Sequence, residues 1–232
     1  MTSKDAQDAL DKIIGQIFGY KNPLTLEQFQ QKFAFDVRLP QQVSDATTSA
    51  PTWAGSVNPT RFITMDNARK RAEVDDWILP SKSLNSVQDI LTAWNEVNLT
   101  ATERQIDSIN FSESDMVYSC ENVYRSQDVH RSKNLLFCDA IMDCEHVAAS
   151  QRSNSSTFCA RLEDSKESSN SFSVSWSAKA INSFFVHDCY DVFECMFCSH
   201  IAAKQFCIAN MQYEEAEYRQ LKDQVIRWIL TG

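Results

Sequence analysis

Cys189, Cys195, Cys198 and Cys207 crowd one short stretch of the chain, with His187 and His200 beside them. Four soft ligands converging on one point would hold zinc, most often as two Cys-x-x-Cys knuckles. Only one such pair occurs here, Cys195 and Cys198, so these four are candidate zinc ligands without the usual second knuckle. A cysteine nucleophile would need an exposed thiol of lowered pKa beside a histidine. The histidines that could serve as a base are His130, His146, His187 and His200. Each possibility depends on which way these side chains point, and the repeat that carries them decides that.

From Val117 to Gln212 the residues fall into hexads: VYSCEN, VYRSQD, VHRSKN, LLFCDA, IMDCEH, VAASQR and onward to CIANMQ. The first position runs Val117, Val123, Val129, Leu135, Ile141, Val147, then only Ser, Cys or Ile. The fourth position is small or apolar until Lys204 and Asn210. All eight cysteines occupy these two columns. A period of six fits neither a helix nor a flat strand, and predicts a β-solenoid with one short strand and one corner per hexad. Its narrow interior takes valine, leucine, serine and cysteine. The four candidate zinc ligands lie on these interior columns, so core packing is the simpler account of them. With almost no glycine available, Asn122, Asp128, Asn134, Asp164, Asn170, Asn182 and Asp188 at the sixth position must supply left-handed corners. Three hexads per turn give a triangular coil of about 18 residues, stacking Val117 under Leu135 and Val123 under Ile141. That makes about five coils in a rod roughly 25 Å long. A hexapeptide-type acyltransferase, with a histidine as base between neighbouring solenoids, is the enzymatic alternative. It wants a small fifth position, where this chain has Glu121, Gln127, Lys133, Asp139 and Glu145.

The chain has 232 residues and a net charge of −9, which argues against a nucleic-acid-binding surface. The short basic run Arg69, Lys70, Arg71 is flanked by Asp66, Glu73, Asp75 and Asp76 and reads as a solvated charge pattern. No apolar run is long enough to span a membrane, so neither nucleic acid nor membrane is an expected partner. The start, MTSKDAQDALDKIIGQIFG, is amphipathic rather than signal-like. Eight cysteines in that setting predict reduced thiols, and no cofactor is called for.

Before the repeat, residues 1–39 form a helical region. Helices are expected over 5–18 and from Thr25, an N-cap, to Phe33, and FAFDVRLP over 33–40 alternates like a strand. Residues 40–60 hold Pro40, Pro51 and Pro59 among many Ser and Thr and read as an extended or disordered connector, an arm that would order on binding, with Trp53 as an anchor. Residues 61–116 are mixed: RFITM as a strand, Trp77 as a second candidate partner contact, and a helix over 86–97 with Val87, Ile90, Leu91 and Trp94 on one face. Residues 99–109 lead into the solenoid and cover its first coil. Residues 117–212 are the solenoid, and 213–232 are a capping helix led by Glu214, Glu215 and Glu217. The fold class is thus mainly β: a single-stranded solenoid with an α-rich N-terminal region and a C-terminal capping helix.

The closing phrase Lys204, Phe206, Cys207, Ile208, Asn210, Gln212, Tyr213, followed by Glu214 and Glu215, resembles a pattern in Cys- and Asn-rich solenoid proteins of candidate-phylum bacteria and tailed phages. There, cysteine-spaced hexads end in K-x-F/Y-C-I-x-N-x-Q-Y and an acidic helix. The resemblance covers about the last forty residues and implies a context without a mechanism. With the arm, it implies a non-enzymatic structural or interaction protein with protein partners. A capsid-decoration or minor virion component is the leading expectation, and a bacterial cytosolic scaffold the other. The protein would accordingly reside in a virion or in cytoplasm.

Overall fold

A computed structural model describes residues 1–58, 61–74 and 76–231; Pro59 and Asp75, named above, lie outside the described residues. Two helices open the chain, α1 (Ser3–Phe18) and α2 (Leu26–Phe33), each started by a threonine capping box, at Thr2 and Thr25. Gly19 ends α1 in a left-handed conformation, φ 72°, and returns its N–H to Gly15 O. No strand forms over 33–40: Phe33 closes α2, and Val37 and Leu39 pack against the helical layer. Residues 41–54 are an antiparallel hairpin, Gln41–Ser44 with Pro51–Ala54, rather than a free connector. Its turn is tied by buried Asp45, which accepts from Thr47 N and Thr64 N, each at 2.7 Å. Phe62–Thr64 pairs in parallel with Thr100–Thr102. Between them lie helices α3 (Met65–Glu73) and α4 (Val87–Val97).

The solenoid has about nine turns rather than five. Parallel strands pair residues 12 apart, Val117 with Val129 and Val123 with Leu135, so each coil is two hexads and not three. The reason lies in the corners. Every sixth-position Asn and Asp named above has positive φ, and so does the third position, through Ser119, Arg125, Arg131, Phe137 and Asp143. A left-handed residue at every third place doubles the bends per hexad, and the coil closes after two. Left-handed backbone costs about 1 kcal/mol at such residues. Ladder bonds hold them there, as where Arg125 N–H donates to Ser112 O and Phe137 N–H to Tyr124 O.

The serines and cysteines inside satisfy the same corners. Ser126 Oγ donates to Tyr124 O and accepts from Cys138 N–H one coil on, both at 2.9 Å. Cys120 does the same with sulfur, donating to Tyr118 O at 3.1 Å and accepting from Ser132 N–H at 3.4 Å. That shared role explains why these columns admit Ser and Cys. Ser126→Ala is therefore expected to lower unfolding free energy by about 1–3 kcal/mol, because it strands a buried N–H. Ser126→Cys should stay within about 1 kcal/mol of the parent. Urea unfolding of the pair distinguishes hydrogen bonding from mere size.

The aliphatic column also changes place. Through Val147 the large residues sit first in each hexad; Ser150, Ser153 and Ser156 then follow in succession, all buried. Beyond them Leu162, Val174, Ala180, Val186 and Val192 carry the aliphatic core from the fourth position. The short strands move with them by three residues, from Glu145–Ala148 to Phe172–Ser175.

One sheet of the solenoid is buried on both faces. Its outer side presents Tyr124, Leu136, Ala148, Ala160, Phe172, Phe184 and Met196, on which α1, α2 and the last helix, α5 (Glu215–Thr231), all pack. The N-terminal helices thus share a core with the repeat. α5 caps the last coils from the side: Tyr218 meets Phe206, and Trp228 lies 5.8 Å from Phe185. The antiparallel strand Met211–Gln212 pairs with Cys207 and Ile208 at the end of the last parallel strand, Ala202–Ile208.

Candidate functional site

The residues singled out from sequence do not converge. Cys189, Cys195, Cys198 and Cys207 all point into the core as free, buried thiols. Cys195 pairs in register with Cys207 on the next coil. Cys189, Cys195 and Cys198 bond backbone carbonyls one coil on, Cys198, Lys204 and Cys207, at 3.5–3.6 Å. Burial pushes Cys138 and Cys159 up to about 12, which keeps them as unreactive thiols. Among the described residues no group of three or more Cys, His, Asp or Glu is arranged to hold a metal ion.

Of the histidines, His130 stacks on Tyr118, and His187 and His200 both approach Asp188 on the exposed surface. Trp53 is half-buried under the Arg125 guanidinium, 5.3 Å from its ring, and its carbonyl accepts from Glu103 N–H. Trp77 is held by Arg71 at 4.1 Å and donates to Ala68 O. Both tryptophans are used inside the chain.

The segment that leaves the body is elsewhere. No residue of α4 is buried, and its apolar stripe Val87, Ile90, Leu91 and Trp94 is 48–72% exposed. Ser86 caps the helix through Asp89 N–H, so it is fixed locally and unpartnered laterally.

A polar cleft lies under α1. The left-handed corner positions Asn110, Asn122, Asn134, His146, Phe158 and Asn170 form one column, 12 residues apart. Asn110 Nδ2 donates to Asn122 Oδ1, Asn122 Nδ2 to Asn134 Oδ1 at 2.9 Å, and Asn134 Nδ2 meets His146 Nε2 at 3.2 Å. The imidazole stacks on Phe158 at 4.3 Å and is 5% exposed. Helix α1 runs along this column. Ser112 Oγ donates to Met1 O at one end, Lys12 Nζ lies 5.8 Å from the Phe158 ring, and Gln16 reaches Asn170. Met1, Asp5, Asp8, Ala9 and Lys12 face Asn110, Asn122, Asn134 and His146 across ≈ 360 Å³. The sequence places Asn122, Asn134 and Asn170 at corners but not in a column, and leaves Asn110 ahead of the repeat, because a coil of about 18 residues does not align them.

The column fixes a tautomer. Asn134 Oδ1 is already an acceptor, so its Nδ2 donates and His146 Nε2 must accept. The imidazole is then neutral with its proton on Nδ1. Burial, with the nearby Lys12 charge, holds its pKa below the usual histidine value, against a smaller upward pull from Glu145. The neutral form is thus the native one. Its stabilisation is intact above the unfolded pKa of about 6.5 and is lost as pH falls through the lower folded value. Urea midpoints are expected to drop between pH 7.5 and 5 in the parent, and to drop less in His146→Phe, which keeps the stacking.

No family model matches the chain, and no curated protein matches it. No helix among the described residues is long and apolar enough to cross a membrane.

Proposed function

We propose that this chain is a non-enzymatic interaction protein, a rigid rod that joins a larger assembly through α4. The observation that carries the reading is the unpartnered stripe Val87, Ile90, Leu91 and Trp94 on an otherwise well-capped helix. Its spacing is that of a helix laid into an apolar groove, with Trp94 as the largest anchor. The polar side carries Asp89 and Glu96, and the whole chain is at −9. Charge complementarity therefore favours a different protein whose groove has a basic rim over a second copy of this one. The closing phrase from Lys204 to Tyr213, with its likeness to solenoid proteins of tailed phages, supports a virion component as the setting. The arm of that scheme is residues 76–98, since 41–54 is folded onto the body.

A photoreactive benzoylphenylalanine at Trp94, in the full chain within its native cells, tests this. Adducts to one defined protein, lost in Leu91→Glu and weakened by salt, are the expected result. Adducts confined to this chain, or a pattern matching that from the same probe at exposed Phe35, would overturn it.

A further inference from the structure

The fourth-position column, small or apolar along the rod, ends in Lys204 and Asn210. Buried Val192 pairs in register with Lys204 on the last coil, and Lys204 is exposed. A further coil laid on it would bury its ammonium without a partner. Ala209 and Asn210 have φ of 51° and 62°, two left-handed residues in succession where the repeat has one at every third place. They are the centre of a two-residue hairpin turn, with Ile208 facing Met211, and send the chain back antiparallel. The Asn210 side chain then makes the bonds that backbone makes in earlier coils. Its Oδ1 accepts Ser199 N–H at 3.0 Å, and its Nδ2 donates to Ser199 O at 2.9 Å. One coil back, His187 O accepts instead from a backbone N–H, that of His200, at 3.1 Å. Gln212 Nε2 donates to Gln205 O at 2.7 Å, and Tyr213 N–H to Phe206 O at 2.9 Å. Side-chain amides thus occupy ladder positions that another strand would take.

We propose that Lys204, Asn210 and Gln212 are a terminator that closes the C-terminal edge against strand addition by a second copy of this chain. An edge row of unpaired N–H and C=O groups is a template for another chain, and charge or local pairing at the edge blunts it. The other end is covered from within the chain: Met65 Sδ accepts Gln105 N–H at 3.3 Å, and Gly55 N–H donates to Asp115 at 2.8 Å. The C-terminal edge is therefore where two copies would meet, and like edges would pair antiparallel about a two-fold. Ala202 shows what that edge offers. Lys166, Ala178 and Tyr190 each donate N–H to the coil beyond, at Ser177 O, Cys189 O and Ile201 O, and Ala202 continues that row where the coils end. Lys204, two residues along, sets its charge beside that open group. The terminator fixes the length of the rod, and it is independent of α4 and of the assembly reading.

The test uses the full chain carrying Leu91→Glu throughout, so that α4 contributes no association. Lys204→Val, Asn210→Gly and Gln212→Ala are introduced together; valine matches the inward column, and glycine tolerates the left-handed turn. Sedimentation velocity over a concentration series should show the triple variant self-associating at least about tenfold more tightly than its Leu91→Glu parent. Hydrogen exchange should show Ala202 N–H gaining protection as the variant associates. In the parent, Ser199 N–H should exchange at least about tenfold more slowly than Ala202 N–H, and Asn210→Gly alone should remove that difference. Association of the variant no tighter than the parent's, or tighter without protection at Ala202, would overturn the proposal. So would equal exchange at Ser199 and Ala202 in the parent, a comparison that requires no variant to fold.

Discussion

Asp115→Ala is expected to cost about 3–5 kcal/mol of unfolding free energy and to open the N-terminal end of the rod. The carboxylate is 1% exposed and gathers the parts of the cap that come from different stretches of chain. Oδ2 accepts Gly55 N–H at 2.8 Å and the Arg104 guanidinium at 2.6 Å. Oδ1 accepts Arg104 N–H and Arg104 Nε, at 2.9 and 3.0 Å. Gly55 has no room for a side chain, since a Cβ would meet Gln127 Oε1 and the Met116 methyl at 2.9 Å and Asp115 Oδ2 at 3.2 Å. Arg104 is partly exposed and can turn to water, so the cost arises chiefly from the Gly55 and Arg104 backbone N–H groups left without their acceptor and from the cavity the carboxylate leaves. Asp115→Asn keeps the volume but loses charge and acceptors, so it should fall between parent and alanine. Hydrogen exchange should show Gln41–Ala54 and Thr100–Thr102 losing protection first. Uniform loss through the last coils would mean that Asp115 does not anchor the cap.

The hexad period and its two inward columns were legible because every buried position repeats a narrow chemistry, aliphatic or Ser and Cys. The length of the turn was not. Asn and Asp mark the sixth-position corners, but the third-position corners carry Arg125, Arg131, Phe137 and Ala149, residues with no preference for left-handed backbone. Geometry imposed by the ladder overrides propensity there. The same omission hid the cleft: with about 18 residues per coil, Asn122 lies under Ala140, whereas with 12 it lies under Asn134. The switch of the aliphatic column was present in Leu162, Val174, Val186 and Val192, and becomes readable once the first-position run ends at Val147. Residues 33–40 alternate because Phe33, Val37 and Leu39 meet the helical layer, which period-2 patterning cannot distinguish from a strand. Helix α3 has only Met65, Ala68 and Ala72 as apolar residues, buries none of them and is held by its Thr64 cap, so its periodic signal is weak. Helix α4 was legible as a helix; that its apolar stripe faces outward was not, because sequence gives a face but not what covers it.

A sheet buried on both sides has two cores, and substitutions in each should fail differently. Phe172 lies on the outer side, 1% exposed, 5.4 Å from Phe18 and 5.1 Å from Phe33 by ring centroids. Leu135 lies on the inner side, fully buried between Val123 and Val147. Phe172→Ala should cost about 3–5 kcal/mol, and Leu135→Ala about 2–5 kcal/mol. The distinction is spatial. Loss of Phe172 removes the wedge between α1 and α2, so amides of those helices should exchange faster while solenoid strands stay protected. Loss of Leu135 cuts the stack itself, where each coil rests only on its neighbours, so protection should fall along the strands on either side. If both substitutions released helices and strands together, the helical layer and the solenoid would be one cooperative unit. In that case α1 and α2 act as a structural wall of the rod, and the cleft beneath α1 cannot open without unfolding the coils that form its floor.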